Sequence, residues 1–354
     1  MDSLTQFVLG ATVSTLCLGK TLGPRKAALI GGALGTLPDL DVFIPFDDPV
    51  DSFVFHRGWT HSVLVHTLAA PIIGEIFVRS IRSLRDQRPL VWLTVFLCLV
   101  THAIIDAMTV YGTRIFWPLF PDPVGVGSVF IIDPIYTLPL LGVTLWALLS
   151  GRWSSRLNTG VVAAFAFSSL YMGLSAITQR HIEGRAQEIF ARQGIAPDRI
   201  FAIASPFNTV LWRVIGLEED RYHNLYLSLL DGADARQIYT HPRHPEIAAC
   251  VAGTDAFQKL EWFSRGYYRA DRVGEEIIIS DLRMGLTPAY AFQFAIAERQ
   301  GATMQPMTPE SAAAGARSQD GDFAWLGERF MGRPAQRDSE LVDMPDENLK
   351  SFSC

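Results

Sequence analysis

The chain reads as a mainly α protein: a polytopic membrane helix bundle of about six segments, followed by a small extracytoplasmic α+β domain. Three observations predict this. Hydrophobic residues make up 49% of the 354 residues, but they concentrate in the first half, in runs near the ~20 residues that cross a hydrocarbon core. Lysine and arginine gather in alternate loops, which marks the cytoplasmic side of a membrane protein. After about residue 178 the long runs give way to short, partly alternating apolar stretches, the period of strands.

The apolar segments fall at 4–19, 27–44, 62–80, 89–108, 134–150 and 157–177. The first resembles a secretory signal only in length. A signal carries positive charge ahead of its apolar stretch, whereas here Asp2 leads and Lys20, Arg25 and Lys26 follow. A retained helix with its N-terminus outside is therefore expected. The second segment is broken by glycine and by Pro38. Arg79, Arg82, Arg85 and Arg88 follow the third segment, and Arg152 and Arg156 follow the fifth; the alternate loops hold only Arg57 and Arg114. This trace sends Asp2, Gln6, Asp39, Asp41, His56, Arg57, His61, His102, Asp106, Tyr111 and Asp133 to the extracytoplasmic ends of the helices.

Residues 1–177 are thus expected to form the membrane domain and 178–300 the α+β domain. In the latter, "RIFAIAS", "RGYYRAD", "EEIIISDLRMG" and "AYAFQFAIAER" suit strands and "GRAQEIFARQG" a helix. Residues 301–354, rich in Ala, Gly, Ser, Pro and charge, read as a flexible tail with a short amphipathic helix at "DFAWLGERFMG".

A net charge of −6 and the lack of a basic stripe argue against a nucleic-acid partner. Cys17, Cys98, Cys250 and Cys354 form no CxxC pair, so neither a thiolate metal site nor a disulfide framework is expected.

The chemistry-bearing residues fall in three places. In "THAIID", His102 and Asp106 are four apart on a helix and share a face. Ionisable groups inside a membrane segment are costly and mark function by default. In "LPDLD", Pro38 ends a helix, and Asp39 and Asp41 follow in an extended or turn conformation, where they could bind one metal or bridge two. In "FHRGWTHS", His56 and His61 flank a loop-to-helix boundary. Thr60 reads as the N-cap of the third segment, His61 as part of its first turn, and Arg57 as a planar donor for phosphate or carboxylate oxygens. His66 faces elsewhere and reads as structural. Imidazole and carboxylate ligands without thiolate suit Zn²⁺, Mn²⁺ or Fe²⁺, zinc above all. A metal in such a site lowers the pKa of bound water.

"MDSLTQ", "PDLD", "HRGWTHS", "THAIIDAMTVYGT", "FIIDPIYTLPLL" and "SPFNTVLWRV", in that order from residue 1 to about 215, resemble the YdjM-like family of bacterial inner-membrane proteins. That family is described as membrane-bound metal-dependent hydrolases, some as LexA-binding. The resemblance implies metal ligands at Asp39, Asp41, His56, His61, His102 and Asp106, with Arg57, His61 and Asp106 as the catalytic set. One position departs: the family start usually reads Asp-x-x-Thr-His, and here the last place is Gln6. The His-x-x-x-Asp helix is also similar to that of zinc-dependent phospholipase C, which favours a phosphoester or lipid-linked substrate at the membrane surface. The alternative expectation is a non-catalytic inner-membrane regulator or scaffold, for which Gln6 and the LexA association argue. An ion transporter fits less well, because the polar residues gather at one face rather than at the midplane.

Overall fold

The computed structural model describes residues 1–232, 237–301, 303–312, 320–341 and 354. The chain divides into two compact units. One holds Met1–Ile44, Arg57–Thr178 and Pro206–Thr209; the other holds Pro45–His56, Gln179–Ser205 and Val210–Cys354.

The first unit is helical. Helix α1 (Ser3–Leu22) starts where the Asp2 carboxylate accepts from the Thr5 amide at 3.0 Å. It packs on α2 (Pro24–Thr36), α5 (Arg88–Met108) and α6 (Pro134–Leu149). The α1–α2 crossing is set by glycine. A Cβ on Gly10 would lie 2.2 Å from the Gly31 carbonyl oxygen, and one on Gly35 would lie 2.5 Å from the Gln6 oxygen. Small residues four apart let membrane helices approach at backbone distance. Around this seam Val8, Leu9, Leu34, Val95, Leu99, Ile105 and Leu140 form the core.

Three helical stretches are long and apolar enough to cross a membrane: Val63–Ser80 (α4), Arg82–Met108, which ends in α5, and Ser155–Arg192 (α7). Helix α6 is apolar but shorter. Among the described residues, the three long stretches support the third, fourth and sixth of the six expected segments by this measure. Helix α1 differs because its buried face carries Thr5, Gln6, Thr12, Ser14 and Thr15, which face protein rather than lipid. Helix α4 shows the opposite pattern: Leu64, Leu68, Ile72 and Ile76, spaced four apart, are all exposed. An apolar helix face left uncovered suits a hydrocarbon solvent.

The second unit is built on two four-stranded antiparallel sheets. β1 (Arg199–Ala204), β2 (Leu211–Leu217), β3 (Arg221–Ser228) and β4 (Ile238–Pro242) pair in sequence order. β5 (Tyr268–Val273), β6 (Glu276–Asp281), β9 (Gln293–Gln300) and β10 (Thr303–Ser311) form the other in the order β10-β9-β6-β5. A small hairpin, β7 (Gly285–Leu286) with β8 (Ala289–Tyr290), stands apart from both. Helices α8 (Pro245–Val251) and α9 (Asp255–Ser264) precede β5. Helix α3 (Pro49–Phe55), drawn from the first half of the chain, belongs here. Phe53 packs edge-on or tilted against Phe263, Phe292 and Phe294, and Asp51 pairs with Lys259 at 2.5 Å.

Two expectations differ from the structure. The stretch from 301, expected as a flexible tail with a short amphipathic helix, has that helix as α10 (Asp322–Phe330) but also supplies strand β10. Arg329 pairs with Asp231 at 3.0 Å and Arg337 with Asp322 at 2.8 Å. Tail residues 302, 313–319 and 342–353 lie outside the described residues. Cys250 and Cys354, 104 positions apart, form a disulfide. Short-range spacing cannot register such a pair, because only the fold brings its Cα atoms to 5.3 Å.

Glu340 sits at the centre of a buried polar network. It accepts from His241 at 2.7 Å, from Asn224 at 3.0 Å and from the Tyr226 hydroxyl. Burial pushes its carboxyl upward, but the His241 hydrogen bond and the Arg213 charge outweigh it and hold the group below its ordinary value. A folded-state pKa below the unfolded one stabilises above the unfolded value and is lost as pH falls through the folded value. The second unit is therefore expected to lose thermal stability as pH drops below 4.5, the ordinary value of this group. Glu340→Gln should flatten that decline in a melting series.

Candidate metal centre

Four side chains from three elements meet inside the first unit. Asp39 comes from a 3₁₀ turn (Pro38–Phe43) after α2, His61 from a 3₁₀ turn (Trp59–His61) before α4, and His102 and Asp106 from α5. One ligand atom from each lies within 4.8 Å of all the others. His61 Nε2 is 3.0 Å from His102 Nε2, 3.5 Å from Asp39 Oδ1 and 3.4 Å from Asp106 Oδ2. His102 Nε2 is 3.5 and 3.6 Å from the same two oxygens. Ligands ~2.0–2.1 Å from a tetrahedral cation sit roughly 3.3–3.4 Å from one another, so these separations fit one ion.

The hydrogen bonds around the group fix its chemistry. His102 Nδ1 donates to the Gly35 carbonyl at 2.6 Å, so Nε2 presents a lone pair in the neutral ring. The Thr60 hydroxyl donates to Asp41 Oδ2 at 2.8 Å, so it accepts from His61 Nδ1 at 3.0 Å. His61 Nε2 is then likewise bare. Asp106 Oδ2, fully buried, accepts no well-aligned hydrogen bond. Two ring lone pairs and two carboxylate oxygens pointing at one spot repel unless a cation sits among them. Electrostatics agrees. Burial opposes charge on Asp39, yet the His102 and His61 rings, in their protonated forms, would hold its carboxyl well below the usual range. Burial would lower the His61 pKa, but Asp106 and Asp39 raise it. The site recruits positive charge. Side-chain exposure is 21% for Asp39 and zero for His61, His102 and Asp106, so approach is on the Asp39 side.

The other sequence-derived candidates have different places. Asp41 stands behind His61, 3.7 Å from Nδ1, and its Oδ2 accepts from the Arg57 amide at 2.9 Å. Its separation from Asp39 follows from conformation. An extended segment puts residues i and i+2 on one side, but a 3₁₀ turn with three residues per turn rotates them ~240° apart. His56 is not in the group. It ends α3, its amide bonded to the Ser52 carbonyl, and it falls in the second unit. Thr60 does not cap α4; Ser62 does, because the 3₁₀ turn carries the Thr60 hydroxyl to Asp41. His66 Nε2 donates to the Thr60 carbonyl at 2.8 Å and is structural. Asp2 and Asp133 are helix N-caps.

Arg57 is adjacent. Its Nε lies 3.1 Å from Asp106 Oδ2 and its guanidinium 5.0 Å from the Tyr111 ring centroid. Its backbone is left-handed, with φ +59°, a conformation that non-glycine residues hold only when their surroundings impose it. Here the amide bond to Asp41 and the bond from the Arg114 amide to the Arg57 carbonyl, at 3.0 Å, do so. Gln6 is also a participant. Its Nε2 donates to Asp106 Oδ1 at 2.8 Å, and the Met1 amino group pairs with the same oxygen. That leaves Oδ2 turned toward the two histidines.

Sequence reasoning singled out Gln6 only as a departure and did not assign Thr60 or the Gly35 carbonyl a part in the site. Thr60, next to His61 in the sequence, was the readable signal. Partners that orient a ligating histidine are typically worth 10–100-fold in metal affinity. Thr60→Val is expected to weaken zinc binding by about that factor, and Thr60→Ser to restore it, as read by chelator competition.

Residues 1–182, just over half of the chain, match the family model described as YdjM inner membrane protein. The uncharacterized protein YfhP of Bacillus subtilis (strain 168) is 27% identical over 156 residues, 41% of this chain and 46% of that protein. The inner membrane protein YbcI of Escherichia coli (strain K12) is 32% identical over 107 residues, 29% of this chain and 60% of that protein. The chain thus spans about half the length of the curated relatives it matches. No solved structure matches.

Proposed function

The chain belongs to the YdjM inner membrane protein family, and from that premise we propose that it is a membrane-bound, metal-dependent hydrolase of a phosphoester substrate. The observation that carries this reading is the set of four acceptor atoms within 4.8 Å of one another, three of their side chains fully buried. A His₂Asp₂ donor set fits zinc, with manganese or iron(II) as the other first-row choices. Asp39, His61, His102 and Asp106 would hold the ion. A divalent cation held there supplies Lewis acidity and a water of lowered pKa.

The chain's own residues do the rest. His102 is locked by the Gly35 carbonyl, and His61 by Thr60 and Asp41. Arg57 places a planar cation beside the site, suited to charge developing on phosphoryl oxygens. Asp39, the one partly exposed ligand, marks where substrate enters.

The site and the second unit are assigned to the extracytoplasmic side of the inner membrane. By the positive-inside rule, the arginine-rich loop after residue 78 supports this for the site, and, with the apolar helix α6 counted as a crossing, the loop after residue 151 supports it for the second unit. The Cys250–Cys354 disulfide supports it too, since such bonds persist in oxidising compartments.

The test uses the full chain in detergent, loaded with zinc or manganese, and the chromogenic diester bis(p-nitrophenyl) phosphate. Hydrolysis is expected, abolished by chelation and restored by metal. Stoichiometric metal without turnover of phosphodiester or phosphomonoester would leave a structural centre. A stable protein that binds no metal would favour the non-catalytic regulator or scaffold.

A further inference from the structure

We propose that an apolar groove beside the metal centre takes one acyl chain of a substrate lipid, a reading that rests on the hydrolase function above. The groove lies wholly within the first unit and has a volume of about 320 Å³, at the lower end of the ~300–1,000 Å³ usual for small-molecule sites. Val65, Ala69 and Ile73, spaced four apart on α4, line it with Leu99 of α5; Leu40 and Trp59, each 53% exposed, line it as well.

Three features identify the occupant. The first is composition. Apart from Asp41, Thr60 and His66, the lining is apolar. His66 and the Thr60 carbonyl satisfy one another, and the Thr60 hydroxyl is bonded to Asp41, so the groove offers a ligand little beyond hydrocarbon contact.

The second is continuity with the membrane-facing surface. The stripe of Val65, Ala69 and Ile73 is half-buried. The stripe one residue earlier, Leu64, Leu68 and Ile72, is exposed by 44%, 64% and 67%. Both run along a helix long and apolar enough to span a bilayer, in a family of inner membrane proteins. The groove therefore opens sideways onto the face that lipid covers. Ala69 leaves space there that a larger side chain would fill.

The third is the polar end. The groove wall includes Asp41 and Thr60, which hold His61 in place, and Pro38, the neighbour of Asp39. Leu99 is three residues before His102. A chain lying in the groove would bring the group it is esterified to toward the four ligands. An anionic phosphoester headgroup would meet the cation and Arg57 there.

The test places the full chain in nanodiscs of phosphatidylethanolamine and phosphatidylglycerol, with a trace of phospholipid carrying a diazirine midway along one acyl chain. After irradiation, labelled peptides are mapped by mass spectrometry, and bound zinc is measured on the same sample. Labelling at Val65, Ala69 and Ile73 is expected to exceed that at Leu64, Leu68 and Ile72. Ala69→Trp should cut groove labelling about tenfold by filling the space with zinc content unchanged, whereas Ile72→Trp on the lipid-facing stripe should leave it intact. Labelling that is even around α4 in the wild type, or unaffected by a folded Ala69→Trp, would mean bulk lipid only and overturn the proposal. Groove labelling in a protein that binds no zinc would keep the lipid site and sink the hydrolase reading instead.

Discussion

Zinc bound to the detergent-purified protein is expected to fall from stoichiometric to undetectable when His102 is replaced by alanine. The loss should exceed the ~10–100-fold typical of orienting partners, because in the proposed centre His102 supplies a ligand atom itself. Its Nε2 is within 3.6 Å of all three other ligand atoms, so its removal opens one corner of the tetrahedron. Asp106→Asn is the companion. It keeps the side-chain volume and the contact with Gln6 but removes the charge that two imidazoles and Arg57 face. Asp106→Ala is a poorer probe, since it would leave Arg57 buried without its partner, at a cost of ~3–5 kcal/mol. The decisive control is His56→Ala, which should retain full zinc because His56 lies outside the group. Zinc content is read by inductively coupled plasma mass spectrometry on monodisperse protein. A His56→Ala variant that loses metal while His102→Ala keeps it would refute the assignment.

The second large effect is in the scaffold. Gly10→Leu should collapse the thermal stability of the protein in detergent and take metal binding with it. A Cβ at Gly10 would meet the Gly31 carbonyl oxygen at 2.2 Å and the Gly35 Cα at 2.8 Å. Both are backbone atoms, so no side chain can swing away; α1 and α2 must separate. Overpacking commonly costs ~1–3 kcal/mol and more where backbone must move, and the Gly10 position is at the upper end. The same displacement moves the Gly35 carbonyl away from His102 Nδ1, now 2.6 Å apart, and with it the 3₁₀ turn that carries Asp39. Gly173→Ala is the contrast. Nothing lies within 4 Å of its added Cβ, and replacing a mid-helix glycine by alanine stabilises by ~0.5–1 kcal/mol. Equal melting temperatures for Gly10→Leu and wild type would show that the seam is not as close as described.

Much of the architecture was legible because it is periodic. The long apolar runs of α4, α5 and α7 stand out in composition alone, as do the short apolar strands β1, β6 and β9. Strands β2 and β3 were not singled out. β2 is buried at every position and β3 at all but its first, so the polar-out half of the alternation is missing. Arg213, a charge in the middle of β2, obscures the strand further. It is accommodated by Asn224 of the neighbouring strand and by the carbonyls of Leu282 and Gly285, partners far away in sequence. After residue 301 the amphipathic helix α10 was legible, but what anchors these segments was hidden for a similar reason. Their charges read as solvent-exposed, whereas Arg329, Arg337 and Glu340 are buried and paired.

By itself the sequence determined which residue types could make a site. Costly His and Asp in apolar helices, a His–Asp pair one turn apart and the absence of thiolate fixed a hard, oxygen- and nitrogen-rich donor set. Tertiary structure alone decided the membership. Asp39 rather than Asp41 faces the histidines because the chain takes a 3₁₀ turn there. His61 rather than His56 joins His102 because the left-handed backbone at Arg57 and the turn after it carry His61 inward. Ligand identity is a property of single residues, but a coordination sphere is a coincidence of positions ångströms apart, and residues distant in sequence reach it only when helices pack against one another.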